Sequence, residues 1–264
     1  MKSKPNFTKK DFLVTLGCIT FLLANIAAIG TVGRRRAKEM VCLSNLYQWA
    51  GVFQAFLDDN NGYFMQGWHG GSNQRWYRVL RPYYSGSKQI LCCPEAVKPL
   101  SQIEYGSDPS GGTFNAWDGG THDGQHDYGS YGICTCLPNP PLPSTSDYWK
   151  RSDVAGADNV PLILDAQWFT SYPWWTNTPP EYPGARWRSG AEGGGMGLFC
   201  IPRHYGAING LFLDFSARKI GLKELWLLKW CRTYDLTEAK QNEPDWTIGT
   251  GWMVPLKDYD YIRP

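Results

Sequence analysis

The densest set of potential ligands in this 264-residue chain is Asp118, His122, Asp123, His126 and Asp127. Imidazole and carboxylate groups together suit Zn²⁺ or Ca²⁺. His122 and His126 are four residues apart and would share a face if the segment were helical. Gly119, Gly120 and Gly124 oppose a helix there. The spacing matches no established cage, so a solvated polar loop is the preferred reading. A metal-dependent enzyme built on this loop ranks last among the functions considered.

Sulfur offers a second set. Cys200-x3-His204 and Cys134-x-Cys136 are each compatible with zinc, but in an oxidising compartment disulfides account for the cysteines better. Eight cysteines are too many for an ordinary reduced domain of this size. Cys18 falls in an apolar segment, which leaves Cys42, Cys92, Cys93, Cys134, Cys136, Cys200 and Cys231 as possible disulfide partners. That number is odd, so at least one thiol stays free or pairs between chains. Cys92 and Cys93 are adjacent and would strain a mutual bridge. Connectivity is open at this level.

Nothing supplies a nucleophile paired with a base. Gly-x-Ser-x-Gly, a phosphate loop and His-Glu-x-x-His are all absent. No catalytic residue and no cofactor is assigned. His204 and Asp214 bracket an expected strand, and His204 reads as a structural hydrogen-bonding residue.

The elements that must carry these groups begin with an uncharged stretch, residues 12–33, flanked by Lys9, Lys10 and Asp11 before and Arg34, Arg35 and Arg36 after. About 21 helical residues reach roughly 31 Å, the thickness of a bilayer's hydrocarbon core. Eleven large apolar side chains would favour insertion by about 3–7 kcal/mol together. The reading is therefore a retained transmembrane helix rather than a cleaved signal, whose apolar run is usually shorter. Four lysines precede the stretch and four basic residues follow it, so charge does not orient it.

Leu43, Leu46, Ala50, Phe53 and Leu57 then recur at spacings of three and four, with Gln48, Gln54 and Asp58 elsewhere on the wheel. This is an amphipathic helix that ends near Gly62, a residue suited to a left-handed cap. Beyond it, 76–80 reads as a short helix or strand, 89–92 as a strand, and 106–130 as an irregular loop. Residues 160–165 form an apolar strand, 207–221 a hairpin, and 222–229 a short helix.

The expected fold is α+β: a long N-terminal helix, membrane-spanning in its first half and amphipathic in its second, packed on a small antiparallel sheet with long loops. The expected segments are a leader-like or cytoplasmic piece (1–11), the transmembrane helix (12–33), its amphipathic continuation (34–62) and a loop-rich globular domain (63–264).

Charge divides unevenly. Residues 1–38 hold eight Lys/Arg against Asp11 alone, leaving 18 basic and 23 acidic residues in the remainder. A mildly acidic domain argues against nucleic acid as a partner. Thirteen Trp among 15% aromatic residues point to a core built on large rings. Exposed Trp and Tyr holding glycans are the alternative.

The N-terminal run 7–14 (FTKKDFLV) resembles the Phe-Thr-Leu-Ile-Glu-Leu-Leu-Val start of type IV pilin-like proteins. Residues 42–46 (CLSNL) and 57–64 (LDDNNGYF) look like the helix end of planctomycete-type prepilin-like proteins. Residues 203–214 (RHYGAINGLFLD) are similar to their C-terminal His-x9-Asp-Gly signature, with His204 and Asp214 as its fixed positions. Cys93-Pro94 and Tyr131-Gly132 fall in order between them. The chain departs from the pattern at Asn6, where the family has its processing glycine, at Lys9 and Lys10, and at Phe215, where the signature ends in glycine. Asp11 replaces the family's glutamate.

The resemblance implies a non-catalytic pilin-like or pseudopilin-like subunit of a secretion or pilus-type assembly. It would be single-pass in the inner membrane, with its domain in the periplasm or outside the cell. Phe7 and Asp11 would be its assembly residues, Asp11 meeting a cation of a neighbouring subunit. The partners it implies are the membrane and further pilin-like subunits, met through the N-terminal helix.

Overall fold

The computed structural model describes residues 8–102, 108–142, 146–180, 182–185 and 194–241, and within α1 the side chains of 23–29 and 31 are not described. The chain divides into two compact units, Met1–Lys38 and Glu39–Pro264.

Helix α1 runs Lys9–Asp59. Thr8 caps its start: the Thr8 backbone N–H and hydroxyl both donate to Asp11 Oδ2, at 2.8 and 2.7 Å, and the Asp11 backbone N–H returns to Thr8 Oγ1 at 3.3 Å. This is a capping box, which gives Asp11 a role inside its own chain. The hydrogen bonds from Thr8 hold the Asp11 carboxyl below its usual range. Phe7 lies outside the described residues. At the other end Asn61 and Gly62 take positive φ, 55° and 78°, and the Gly62 N–H bonds Leu57 O at 2.7 Å, so the helix stops where the cap glycine requires.

The expected membrane span is corrected. Among the described residues no helix is long and apolar enough to cross a membrane. Single-pass placement in an inner membrane is left without support.

The amphipathic continuation of α1 is present and wider than the five-residue stripe. Cys42, Asn45, Leu46, Trp49, Ala50, Val52, Phe53, Phe56 and Leu57 are buried, and Leu43 is half-buried, while Gln48, Gln54 and Asp58 are exposed. Trp49 anchors it: its indole N–H donates to Ile90 O at 2.8 Å, and its ring meets Trp76 edge-on with centroids 5.1 Å apart.

Two short helices follow, α2 (Trp76–Val79) and α3 (Lys88–Leu91). The second replaces the strand expected at 89–92. Its apolar run is too short for periodicity to decide, and packing of Ile90 and Leu91 under α1 settles it.

Strands β1 (Trp117–His122) and β2 (Gln125–Gly129) form a two-stranded antiparallel hairpin inside the segment expected to be irregular. Asp123 and Gly124 turn it with φ of 49° and 72°, and Gly120 accommodates a bulge at φ 75°.

The main sheet has five strands, β3 (Tyr131–Cys134), β4 (Pro161–Asp165), β5 (Thr170–Ser171), β6 (Ala207–Phe212) and β7 (Ala217–Gly221), in the order β5-β3-β4-β6-β7. It is mixed rather than antiparallel, because β3 pairs with β5 in parallel. Strand β4 is central and wholly buried, as its unbroken apolar run requires. The 207–221 hairpin forms as expected, and a 3-10 helix (Lys223–Leu227) follows it. Helices α4 (Gly194–Gly197) and α5 (Leu236–Gln241) complete the described α-helices.

The tryptophans whose side chains are described go to the core. Trp49, Trp76, Trp117, Trp226 and Trp230 are fully buried, and Trp149, Trp168, Trp174 and Trp175 are half-buried.

Candidate functional site

The expected His122 loop does not converge. His122 pairs with Asp123 at 3.0 Å, and His126 with Asp118 at 3.0 Å, as two separate contacts on a hairpin whose register sets His122 opposite Gln125. Asp127 turns the other way. It is buried and accepts from Arg78 Nε at 2.8 Å and from Arg81.

The polar groups that do converge sit where β4 ends. Asp165 closes the apolar strand and is fully buried. A carboxylate there must be compensated, and four groups do so. Arg203 Nη1 lies 2.8 Å from Oδ1, and His204 Nε2 lies 3.2 Å from Oδ2. The Asn209 backbone N–H, on β6, donates to Oδ2 at 2.8 Å. The Cys42 thiol, from α1, lies 3.7 Å from both oxygens.

Cys93 closes the group, with Sγ 3.3 Å from His204 Nε2 and its backbone N–H held by Ser130 Oγ at 2.6 Å. The Tyr131 hydroxyl donates to Cys42 Sγ at 3.3 Å. The ligating atoms of Cys42, Cys93, Asp165 and His204 all lie within 4.8 Å of one another.

Local sequence explains the approach. Asn45 Nδ2 bonds Cys92 O at 3.0 Å, which clamps the Cys92-Cys93-Pro94 segment against α1. Tyr131 stands opposite Asp165 in the β3–β4 register. Tyr205 and Gly206 both take positive φ, 53° and 78°, and turn the chain so that Arg203 and His204 face inward before β6 begins.

Electrostatics follow the geometry. Burial alone would raise the Asp165 carboxyl, but His204 and Arg203 beside it bring it down to about 2. Burial disfavours charge on His204, yet the adjacent Asp165 carboxylate and Cys93 raise it to about 10. Burial also opposes ionisation of Cys93, while hydrogen bonds from Cys42 and His204 and the charge of Arg203 bring it down to about 7. Cys42 moves the other way, well up, through burial. The group is a pair of thiols, a carboxylate and an imidazole, all four of them buried.

Of the sequence-level candidates, His204 and two of the cysteines, Cys42 and Cys93, lie in this cluster. Asp214 does not join them. It sits exposed in the β6–β7 turn and accepts from the Ser216 backbone and hydroxyl at 3.0 and 2.7 Å. Cys136 and Cys231 form a disulfide, with Cys134 beside it; Cys18, Cys42, Cys92, Cys93, Cys134 and Cys200 are free. Asp165 and Arg203 were missed. The signal was available: a carboxylate ending a wholly apolar strand requires a buried cation.

Set against family models, curated proteins and solved structures, the chain matches none of them.

Proposed function

We propose that the chain is a non-catalytic, pilin-like structural subunit of a secretion or pilus-type assembly, with α1 as its assembly element. One observation carries this reading. The same helix buries the Cys42–Leu57 face in its own domain and leaves Phe12, Leu13, Val14, Leu16, Ile19, Phe21 and Leu22 exposed, between 47% and 70%. Apolar side chains exposed at this density mark a surface that another molecule covers. Further copies of the chain, stacked helix on helix, are the partner implied by the resemblance. The Cys136–Cys231 disulfide supports an oxidising, extracytoplasmic compartment.

Cys18 is exposed on that segment and serves as a native probe. Mild oxidation of the full chain in the producing cell is expected to give a dimer cross-linked through Cys18. Cys18→Ser should abolish the cross-link, and Leu13→Lys combined with Leu16→Lys should weaken it. A full chain that sediments as a monomer and forms no Cys18 cross-link overturns the proposal.

A further inference from the structure

We propose that Cys42, Cys93, Asp165 and His204 form a structural, tetrahedral Zn²⁺ site at the centre of the Glu39–Pro264 unit. The donor set is two thiolates, one imidazole and one carboxylate, which suits zinc and excludes calcium and magnesium, whose ligands are oxygens.

The spacing fits. Bonds of about 2.3 Å to sulfur and about 2.0–2.2 Å to nitrogen and oxygen, at tetrahedral angles, put the ligand atoms about 3.4–3.8 Å apart. Three of the six edges are 3.2 Å from His204 Nε2 to Asp165 Oδ2, 3.3 Å from Cys93 Sγ to His204 Nε2, and 3.7 Å from Cys42 Sγ to Asp165, and the other three are within 4.8 Å. Seating a small ion at the centre leaves the three short edges nearly unchanged and draws the others in by at most about an ångström.

Charge balances as well. Two thiolates and the Asp165 carboxylate carry three negative charges, and Zn²⁺ with the Arg203 guanidinium carries three positive ones. The buried site is then neutral, as a water-free interior demands. Loading transfers the two thiol protons, and any proton on His204, to solvent. The outer groups a metal site needs are already in place: Arg203 and the Asn209 N–H on the carboxylate, and Tyr131 on the Cys42 sulfur. All four ligands are buried, so no coordination position is left for water or substrate, which makes the site structural rather than catalytic. It joins α1, the Cys93-Pro94 segment, the end of β4 and the turn before β6, none of them adjacent in sequence.

The test uses the full chain, purified without chelator and analysed by elemental mass spectrometry. One zinc per chain is expected, with loss of nearly all of it in Cys93→Ser and full retention in Cys200→Ser, which removes a buried thiol outside the site. Because a folding defect in Cys93→Ser would also release zinc, the natural chain is in addition stripped and reloaded with Co²⁺. Tetrahedral visible bands with sulfur-to-cobalt charge transfer support the site. A folded natural chain that retains no zinc and gives no such bands overturns it, as does a Cys42–Cys93 disulfide found by peptide mapping.

Discussion

Arg203 and Asp165 form an ion pair in which both side chains are fully buried, with Nη1 and Oδ1 2.8 Å apart. Arg203 spends all five of its N–H groups there: on Asp165, and on the carbonyl oxygens of Thr113, Ser130, Gly112 and Ala166. The pair therefore fastens the 110–113 loop, the start of β3 and the end of β4 to one planar group. Arg203→Met strands a buried carboxylate and is expected to cost about 3–5 kcal/mol. Arg203→Lys keeps the charge but loses the fork, and is expected to cost on the order of 2 kcal/mol. Urea denaturation of the metal-free chain measures both. Equal stability of the lysine variant and the natural chain would show that the fork is dispensable.

The Cys136–Cys231 disulfide closes 95 residues of sequence. On chain-entropy grounds, replacing both cysteines with serine should lower stability by about 4–5 kcal/mol. Thermal melting of the double variant beside the natural chain checks the figure. Cys134 cannot rescue the double variant, because both of the sulfurs it sits beside are then gone.

Alkaline pH is expected to unfold the domain through its buried tyrosines. Tyr84 is raised from 10.0 to about 12, chiefly by burial. Below pH 10 the phenol is neutral in both states and its contribution is intact. Between pH 10 and about 12 the unfolded chain loses the proton while the folded one keeps it, so stability falls by up to about 1.4 kcal/mol per pH unit for this group. Tyr84→Phe should flatten the decline and cost about 1 kcal/mol at neutral pH, since Tyr77 O loses its donor at 2.8 Å. Denaturation midpoints across the alkaline range, read for both proteins, decide it.

Gly132, in β3, has no room for a side chain. A Cβ there would lie 2.2 Å from Trp168 O and 2.9 Å from Ala166 Cβ. Gly132→Ala should therefore push β3 away from the β4–β5 connection and leave the chain poorly folded. Loss of amide-exchange protection at Ile133 and Cys134 would report it; a melting temperature within a degree of the natural chain would refute it.

Much of the framework was legible because short-range periodicity dictates it. Leu46, Ala50, Phe53 and Leu57 announced a buried helical stripe, and Gly62 announced its end. Residues 160–165 could be little but a buried strand, and 207–221 little but a hairpin. Other elements were not legible. Residues 88–91 form a helix because α1 covers them, and a two-residue strand such as β5 leaves no periodic signal. The hairpin across 117–129 hid among glycines that read as loop, yet those glycines supply the positive φ its bulge and turn need.

The sequence by itself determined the eight cysteines, the acidic balance after residue 38, the stripe on α1 and a carboxylate at the end of an apolar strand, all consequences of residue type and local spacing. Tertiary structure alone decided which of these meet. Asp165 collects Cys42 from 123 residues earlier and His204 from 39 residues later, while His122 and His126, close in sequence, go to separate partners. The physical reason is that a buried charge has to be neutralised by whatever the fold brings within about 4 Å, and that choice belongs to packing rather than to spacing along the chain.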